Sequence, residues 1–431
     1  MRGSNLKIQL LLTGNEIMAG DVTDSNSSMI AQKLGVHGFD IYRRVTIGDD
    51  VDQLIEEIRA ISAQSDVLII NGGLGPTVDD LTADALAKAA GLPLQENAEA
   101  MAHLQDWVDR LGMTLNAANR KQAILPQGVN IVPNPTGTAV GFSLVINGCL
   151  VICTPGVPSE LRRMLDDSIV STVLALEPDR QPLITTRLKV FGMGESALQQ
   201  LISDTFPDWP DHIELGFRAS LPALELKLTT RHRDHESDRL LWTDKILDLL
   251  GDYVIGRNET SIPQSVLQLL TSQNKTLTLA ESCTGGLIAS QLTAIAGSSQ
   301  AFEAGFVTYS NAIKEQVLGV PAAILQQHGA VSEEVVLAMA KGALRVSGAD
   351  LAIAVSGIAG PDGGSEEKPV GTVWLAWGST DNVQTKQLFF GKNRYFFQQL
   401  VAATGLDLIR RQLSGITQPP RYFNDRVLRR K

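Results

Sequence analysis

Short apolar, β-branched runs alternate with helical patterns twice along this chain, and each time the strand-like runs end in glycine-rich loops. In the first third the order is KIQLLLTG, SSMIAQKLGVHG, FDIYRRVTIG, VDQLIEEIRAIS, DVLIINGG and DLTADALAKAAG. Such alternation predicts a sheet, mainly parallel, with helices on its faces. The pattern returns in TLTLAES, AGFVTYS, ADLAIAVSG and VGTVWLAWG. At roughly 150 residues per domain, 431 residues are too many for one core. Between the two patterned regions RLKVFG and LELKLTTR read as strands, RHRDHESDR as a charged surface loop and DRLLWTDKILDLLG as an amphipathic helix. The expected fold class is α/β, with two α/β sandwich domains (residues 1–177 and 258–431) joined by a small α+β domain (residues 178–257).

Composition removes several classes of function. An apolar fraction of 44% with 19% charged residues marks a folded globular chain. Thirty-seven basic against 47 acidic side chains give a net charge of −10, which repels a phosphate backbone, so no nucleic-acid partner is expected. Cys149, Cys153 and Cys283 are too few for a disulfide framework and form no pair of CxxC knuckles, which fits a reducing cytoplasm. No apolar stretch reaches the roughly 18 to 20 residues that span a bilayer, so no membrane partner is expected. The opening MRGSNLKIQLLLTGNEIMAG reads as a first strand rather than a signal peptide.

The sharpest loop is DVLIINGGLGPTVDDLTADAL, a strand followed by Gly72, Gly73, Gly75 and Pro76, then Thr77, Asp79 and Asp80 at the start of a helix. It is neither a Walker loop nor a GxGxxG fingerprint. Glycines allow close backbone approach, Thr77 can donate to a phosphate, and a carboxylate among the amides can hold a divalent cation against it. The plainer reading is a tight turn with Asp and Thr as helix caps. Two further loops, PNPTGTAVG with Asn134, Thr136 and Gly137, and CTPGVPSEL, can converge on the same place, as can Glu16 and Asn26 after the first strand. Each of these alone is ordinary turn or loop chemistry.

The C-terminal third offers a different set. TLTLAESCTGG ends a strand in a turn bearing Ser282, Cys283, Thr284, Gly285 and Gly286, which displays a hydroxyl or thiol where a nucleophile is useful. Histidine, the usual base, occurs there only as His328. A desolvated lysine is the alternative, and AGFVTYSNAIKEQVLG supplies Lys314 with Tyr309 nearby. From spacing alone Lys314 reads as a solvated helix residue. SGIAGPDGG, from Ser356 through Gly357 and Gly360, can offer amides as an oxyanion hole or be a plain glycine turn, and Arg394 suits a phosphate or carboxylate.

With these runs in view the chain resembles the competence/damage-inducible protein A (CinA) family over nearly its full length. The N-terminal part looks like a molybdopterin-binding-like domain through NEIMAGDVTDSNS, NGGLGPTVDDLT, NRKQA, PNPTGTAVG and TPGVPSEL. The C-terminal part looks like a nicotinamide-mononucleotide amidohydrolase domain through AESCTGG, GFVTYSNAIK, HGAVSEE, VSGIAGPDGG and EEKPVGTVW. The middle part takes the place of a KH-like domain, but offers Gly192-Met193-Gly194 instead of the GXXG loop of RNA-binding KH modules, and reads as a spacer or dimerisation element.

The resemblance implies two activities. In the C-terminal domain it makes Ser282 the nucleophile, Lys314 its general base and Tyr309 a supporting hydroxyl, which reverses the reading of Lys314 from spacing. Ser356 and Arg394 enter substrate recognition, with Thr284, Gly285, Gly286, Asn311, Gly357 and Gly360 beside them, and no cofactor is expected. In the N-terminal domain it implies ADP-ribose pyrophosphatase activity with a divalent metal (Mg, Mn or Co), Asp80 being the expected ligand. Glu16, Asn26, Gly72, Gly73, Gly75, Thr77, Asp79, Asn134, Thr136 and Gly137 are the expected nucleotide-binding set. The expected partners are nicotinamide mononucleotide, ADP-ribose and a second copy of the chain in a homodimer. The rival readings are a nucleotide-binding module that does not hydrolyse its ligand, and an interaction protein linked to DNA uptake or damage.

Overall fold

The computed structural model describes residues 6–112 and 114–427. The chain divides into two compact units, Met1–Ile184 with Arg231–Arg233, and Thr185–Thr230 with Asp234–Lys431.

In the first unit the strands are β1 (Ile8–Thr13), β2 (Ile41–Ile47), β3 (Val67–Asn71), β4 (Leu94–Glu96), β5 (Ile124–Pro126), β6 (Asn130–Val132), β7 (Gly141–Ile146) and β8 (Cys149–Thr154). Six of them form one sheet in the order β2-β1-β3-β8-β7-β6, while β4 and β5 pair separately. The pairs β2/β1, β1/β3 and β3/β8 are parallel, and β8/β7 and β7/β6 are antiparallel. Both faces are covered, so β1 and β3 are buried throughout and read in sequence as predominantly apolar runs, IQLLLT and VLIIN. The β7/β8 hairpin turns on Asn147 and Gly148, both at positive φ (53° and 82°), the conformation that Asn-Gly supplies. Helix Val51–Ser62 starts where the Asp50 carboxylate accepts from the amides of Asp52 and Gln53. From β1 the chain goes first to β2 on one side and later to β3 on the other. That reversal opens a crevice at the carboxyl ends of β1 and β3.

The second unit begins with a four-stranded sheet of β9 (Ile184–Val190), β10 (Glu214–Ser220), β11 (Ala223–Thr230) and β12 (Val254–Arg257) in the order β10-β11-β9-β12. The pairs β10/β11 and β9/β12 are antiparallel. Helices Glu195–Thr205 and Glu236–Leu250 bury Leu198, Ile202, Ile246 and Leu250 against Leu188, Val190, Leu226 and Leu228. The charged run expected as a loop is helical from Glu236, because Glu236 and Asp238 suit the positive end of a helix.

The remaining strands are β13 (Leu277–Glu281), β14 (Phe302–Val307), β15 (Leu351–Gly357), β16 (Thr372–Ser379) and β17 (Asn382–Phe389), in the order β14-β13-β15-β16-β17. The first three run parallel and the last two are antiparallel. Again the strand order reverses at the first strand, β13, so the loops after β13, β14 and β15 share one end of the sheet. Helix Arg394–Leu413 packs against β15 and β16. No helix among the described residues is long and apolar enough to cross a membrane.

Candidate functional sites

At the end of β13 the chain turns sharply. Ser282 donates its amide to the Val355 carbonyl of β15, and the Gly285 amide closes a turn onto the Ser282 carbonyl. Gly285 and Gly286 sit at φ of 63° and 95°, where a side chain would be strained. The Lys314 Nζ lies 3.2 Å from Ser282 Oγ, and also donates to the carbonyls of Thr308 (2.8 Å) and Tyr309 (3.2 Å). Helix Asn311–Leu318, capped by the Ser310 hydroxyl, carries this lysine inward. Lys314 is 1% exposed, which corrects the reading of a solvated helix residue that spacing alone favours. Burial holds its ammonium pKa below the usual lysine range. Two N–H directions are taken by carbonyls and the third axis of the nitrogen faces the serine. The neutral amine can therefore accept the Ser282 proton without moving.

The neighbouring Cys283 points into the core, and burial pushes its thiol up to about 12. The group displayed at the turn is thus the serine. His328, the histidine of this region, pairs with Glu334 at 3.3 Å.

Tyr309 touches Lys314 through its carbonyl, and its exposed hydroxyl accepts from Arg394 Nη2 at 2.9 Å. Arg394 Nη1 donates to the Gly360 carbonyl at 2.9 Å. Arg394 therefore joins the β14 loop to the SGIAGPDGG loop. Ser356 is 1% exposed and donates to the Ala330 carbonyl at 2.7 Å, which ties its hydroxyl to the framework. Gly357 and Gly360 are spatially required: a Cβ on either would lie 2.8 Å from the Thr372 carbonyl or 2.5 Å from Val370. Asn311 is exposed at the start of its helix. Thr284 donates to Glu281, a buried carboxylate that sequence reasoning passed over. Its signal was an acid closing an otherwise uncharged strand, TLTLAE, just before the turn.

In the first unit, a cleft of about 560 Å³ opens at the carboxyl ends of β1 and β3. Glu16, Asn26, Gly72, Gly73, Gly75, Thr77, Asp79 and Asp80 line it, all of them expected from sequence. Gly72 and Gly73 take φ of 112° and 66°, and a Cβ on Gly72 would come within 2.6 Å of the Thr13 carbonyl. The next helix, Thr82–Ala90, is tied back by the Thr82 hydroxyl to the Gly72 carbonyl (2.8 Å). Asp80 Oδ2 accepts from the amide (2.8 Å) and hydroxyl of Thr77, so one carboxylate oxygen works as a turn cap. The nearby Thr77 side chain and the amide of Asp79 itself hold the Asp79 carboxyl below the usual range. Lys121, from the NRKQA run, donates to the carbonyls of Thr77 and Asp80.

Asn134, Thr136 and Gly137 are not among the residues lining the cleft. Asn134 is fully buried. It accepts from the amide and hydroxyl of Thr136, and donates to the Ala139 carbonyl (2.8 Å) and to Glu160 Oε2 (2.7 Å). It thereby holds Glu160, which does line the cleft, and a Cβ on Gly137 would collide with that carboxylate. Sequence reasoning missed Glu160, Thr13, Asp24, Asp49, Asn71 and Gln122 as polar members of the lining. Thr13 donates to Asp49 (2.7 Å), and Asn71 is anchored on Thr154 and the Pro155 carbonyl.

The lining includes six carboxylates and no lysine or arginine, so an anionic ligand needs a cation to enter it. No group of three His, Cys, Asp or Glu is pre-assembled as a cage among the described residues. The donor set fits a hard cation held through one or two carboxylates, with water and phosphate oxygens completing the shell.

Fold and sites together describe a chain with a molybdopterin-binding-type α/β domain, a KH-type domain and a second α/β domain built around a serine–lysine pair. Residues 9–175 match the probable molybdopterin binding domain, residues 185–256 the damage-inducible protein CinA KH domain, and residues 259–413 the CinA C-terminal domain. A CinA-like protein of Colwellia psychrerythraea is 53% identical over 424 residues, covering 98% of each chain. One of Shewanella loihica is 41% identical, covering 95% of this chain and 96% of its own. The chain belongs to the CinA family. Among solved structures, the competence/damage inducible protein CihA from Agrobacterium tumefaciens is 43% identical over 36% of this chain and 94% of its own, with a TM-score of 0.34. The protein CinA from Thermoplasma acidophilum is 32% identical over 41% and 99%, with a TM-score of 0.36.

Proposed function

We propose that this protein is a bifunctional hydrolase of pyridine-nucleotide salvage. The observation that carries the C-terminal half is Lys314, a buried amine of lowered pKa held 3.2 Å from an otherwise unassigned serine hydroxyl. Ser282 Oγ bonds to the carboxamide carbon of nicotinamide mononucleotide as its proton passes to Lys314 Nζ. The tetrahedral oxyanion collapses, the C–N bond breaks, and Lys314 returns the proton to the leaving nitrogen, releasing ammonia. Water then adds to the acyl-serine as Lys314 takes its proton, the acyl C–O bond breaks with that proton passing to Ser282 Oγ, and nicotinic acid mononucleotide leaves. Arg394 and Tyr309, already bonded to each other, are the groups assigned to the substrate phosphate side.

In the N-terminal unit the reading is hydrolysis of ADP-ribose to AMP and ribose 5-phosphate. It rests on the acidic cleft behind the Gly72–Thr77 loop. Asp80, through its remaining oxygen, and Asp79 are the side chains assigned to a divalent cation. When bound, that cation draws charge from the pyrophosphate oxygens. The glycines admit the pyrophosphate to the backbone, and Lys121 keeps the Thr77–Asp80 turn in shape. Ammonia release from nicotinamide mononucleotide by the full-length protein, beside AMP formation from ADP-ribose, tests both halves. Tight ADP-ribose binding without AMP formation across several divalent metals would replace the second activity with a binding role.

A further inference from the structure

Glu281 is 1% exposed and takes no part in the proton transfers of the Ser282 reaction, yet its carboxylate accepts four hydrogen bonds. Oε2 takes the Thr284 hydroxyl (2.7 Å) and the amides of Gly286 and Ile288 (3.1 Å each), and Oε1 takes the Ala289 amide (2.9 Å). These are the donors that open helix Leu287–Thr293. An anion-hungry helix end lies beside the nucleophile, and the protein has already filled it with its own carboxylate. The Gly285 and Leu287 amides are spent on the carbonyls of Ser282 and Thr284. Every amide from Gly285 to Ala289 is thus committed. The amides of Cys283 and Thr284, directly after the nucleophile, make no backbone–backbone hydrogen bond among the described residues, and the one acceptor near the Cys283 amide is its own thiol.

We propose that Glu281 is a positioning residue for the Ser282 reaction. By gathering the Gly286, Ile288 and Ala289 amides and the Thr284 hydroxyl, it sets the turn so that the Cys283 and Thr284 amides receive the oxyanion. The inference rests on the reading of Ser282 as nucleophile. It moves the oxyanion hole from the SGIAGPDGG loop, which the sequence offered, to the nucleophile's own turn. It also gives Cys283 a role through its backbone alone, in keeping with a thiol turned into the core.

The test is steady-state ammonia release from nicotinamide mononucleotide by full-length Glu281→Gln, with Ser282→Ala as control and thermal melts of both. The carboxamide keeps the size of the side chain but faces amide donors with an N–H group, so the turn loses its alignment. The expected result is a folded variant with kcat lower by about a hundredfold or more and KM within about threefold. A folded Glu281→Gln protein with parental kcat, or one changed only in KM, overturns the inference while an inactive Ser282→Ala leaves the nucleophile standing. Turnover by Ser282→Ala removes the nucleophile and the inference together. Should Glu281→Gln not fold, a backbone ester at Thr284, which deletes one N–H and keeps every side chain, decides the matter. A kcat loss of similar size supports the inference, and parental kcat overturns it.

Discussion

Ser282 and Cys283 are adjacent nucleophile-type side chains, and burial separates them. The serine meets an amine, whereas the thiol is packed in the core with its pKa raised to about 12. Ser282→Ala is expected to abolish ammonia release, while Cys283→Ser should keep it within a few fold, as measured by coupled ammonia assay. Lys314 sets the pH dependence. Burial lowers its pKa, so the neutral base accumulates at lower pH than for a free lysine. The kcat/KM profile should rise with pH through one ionisation below the usual lysine value, and Lys314→Arg should remove both rate and rise. The same shift has a stability sign. Between the lowered and the ordinary pKa the unfolded chain binds the extra proton, so stability should increase with pH across that window. Spacing alone made Lys314 a surface residue, because its helix shows the usual mixture of polar and apolar positions. Only its approach to Ser282 and to the Thr308 and Tyr309 carbonyls, beyond the ends of β13 and β14, takes it out of solvent, and that approach is tertiary. Asn134 shows the opposite failure: its loop was legible, but its side chain is spent on holding Glu160.

At the scale of elements, the Gly72–Gly73 turn joins a buried strand to a helix by passing against the Thr13 carbonyl. Gly72→Ala places a methyl 2.6 Å from that oxygen at a φ of 112°, so both contact and backbone are strained. A loss of about 2–4 kcal/mol in the first unit is expected from denaturant titration, together with loss of ADP-ribose binding by calorimetry. The strands β1, β3, β13 and β15 were legible because they are buried on both faces and read as predominantly apolar runs. The strands β10 and β17 were not. Each has only one neighbour, carries polar side chains along its length and resembles a loop in one dimension.

For the whole molecule the two proposed activities rest on different chemistry, so they should separate. Chelation is expected to stop AMP formation from ADP-ribose and leave ammonia release untouched, with both products followed in one reaction mixture. The middle domain is the part that sequence explained least, since Gly192-Met193-Gly194 said only what it was not. In the structure Gly192, at φ 84°, lies against the Tyr422 ring, where a Cβ would approach to 2.6 Å. Tyr422 in turn donates to the buried Asp407 (2.9 Å), which holds Arg410, and Arg410 and Arg411 both bond Asp252 at the end of the middle domain.

Helix Arg394–Leu413 runs between these two places. Twenty residues at a rise of 1.5 Å make it about 30 Å long. Its far end is bolted to the middle domain by Arg410 and Arg411, and its near end begins with the guanidinium that spans Tyr309 and Gly360. As one unbroken helix it acts as a spacer, so the middle domain and the loop around Gly360 are anchored to opposite ends of a single rod.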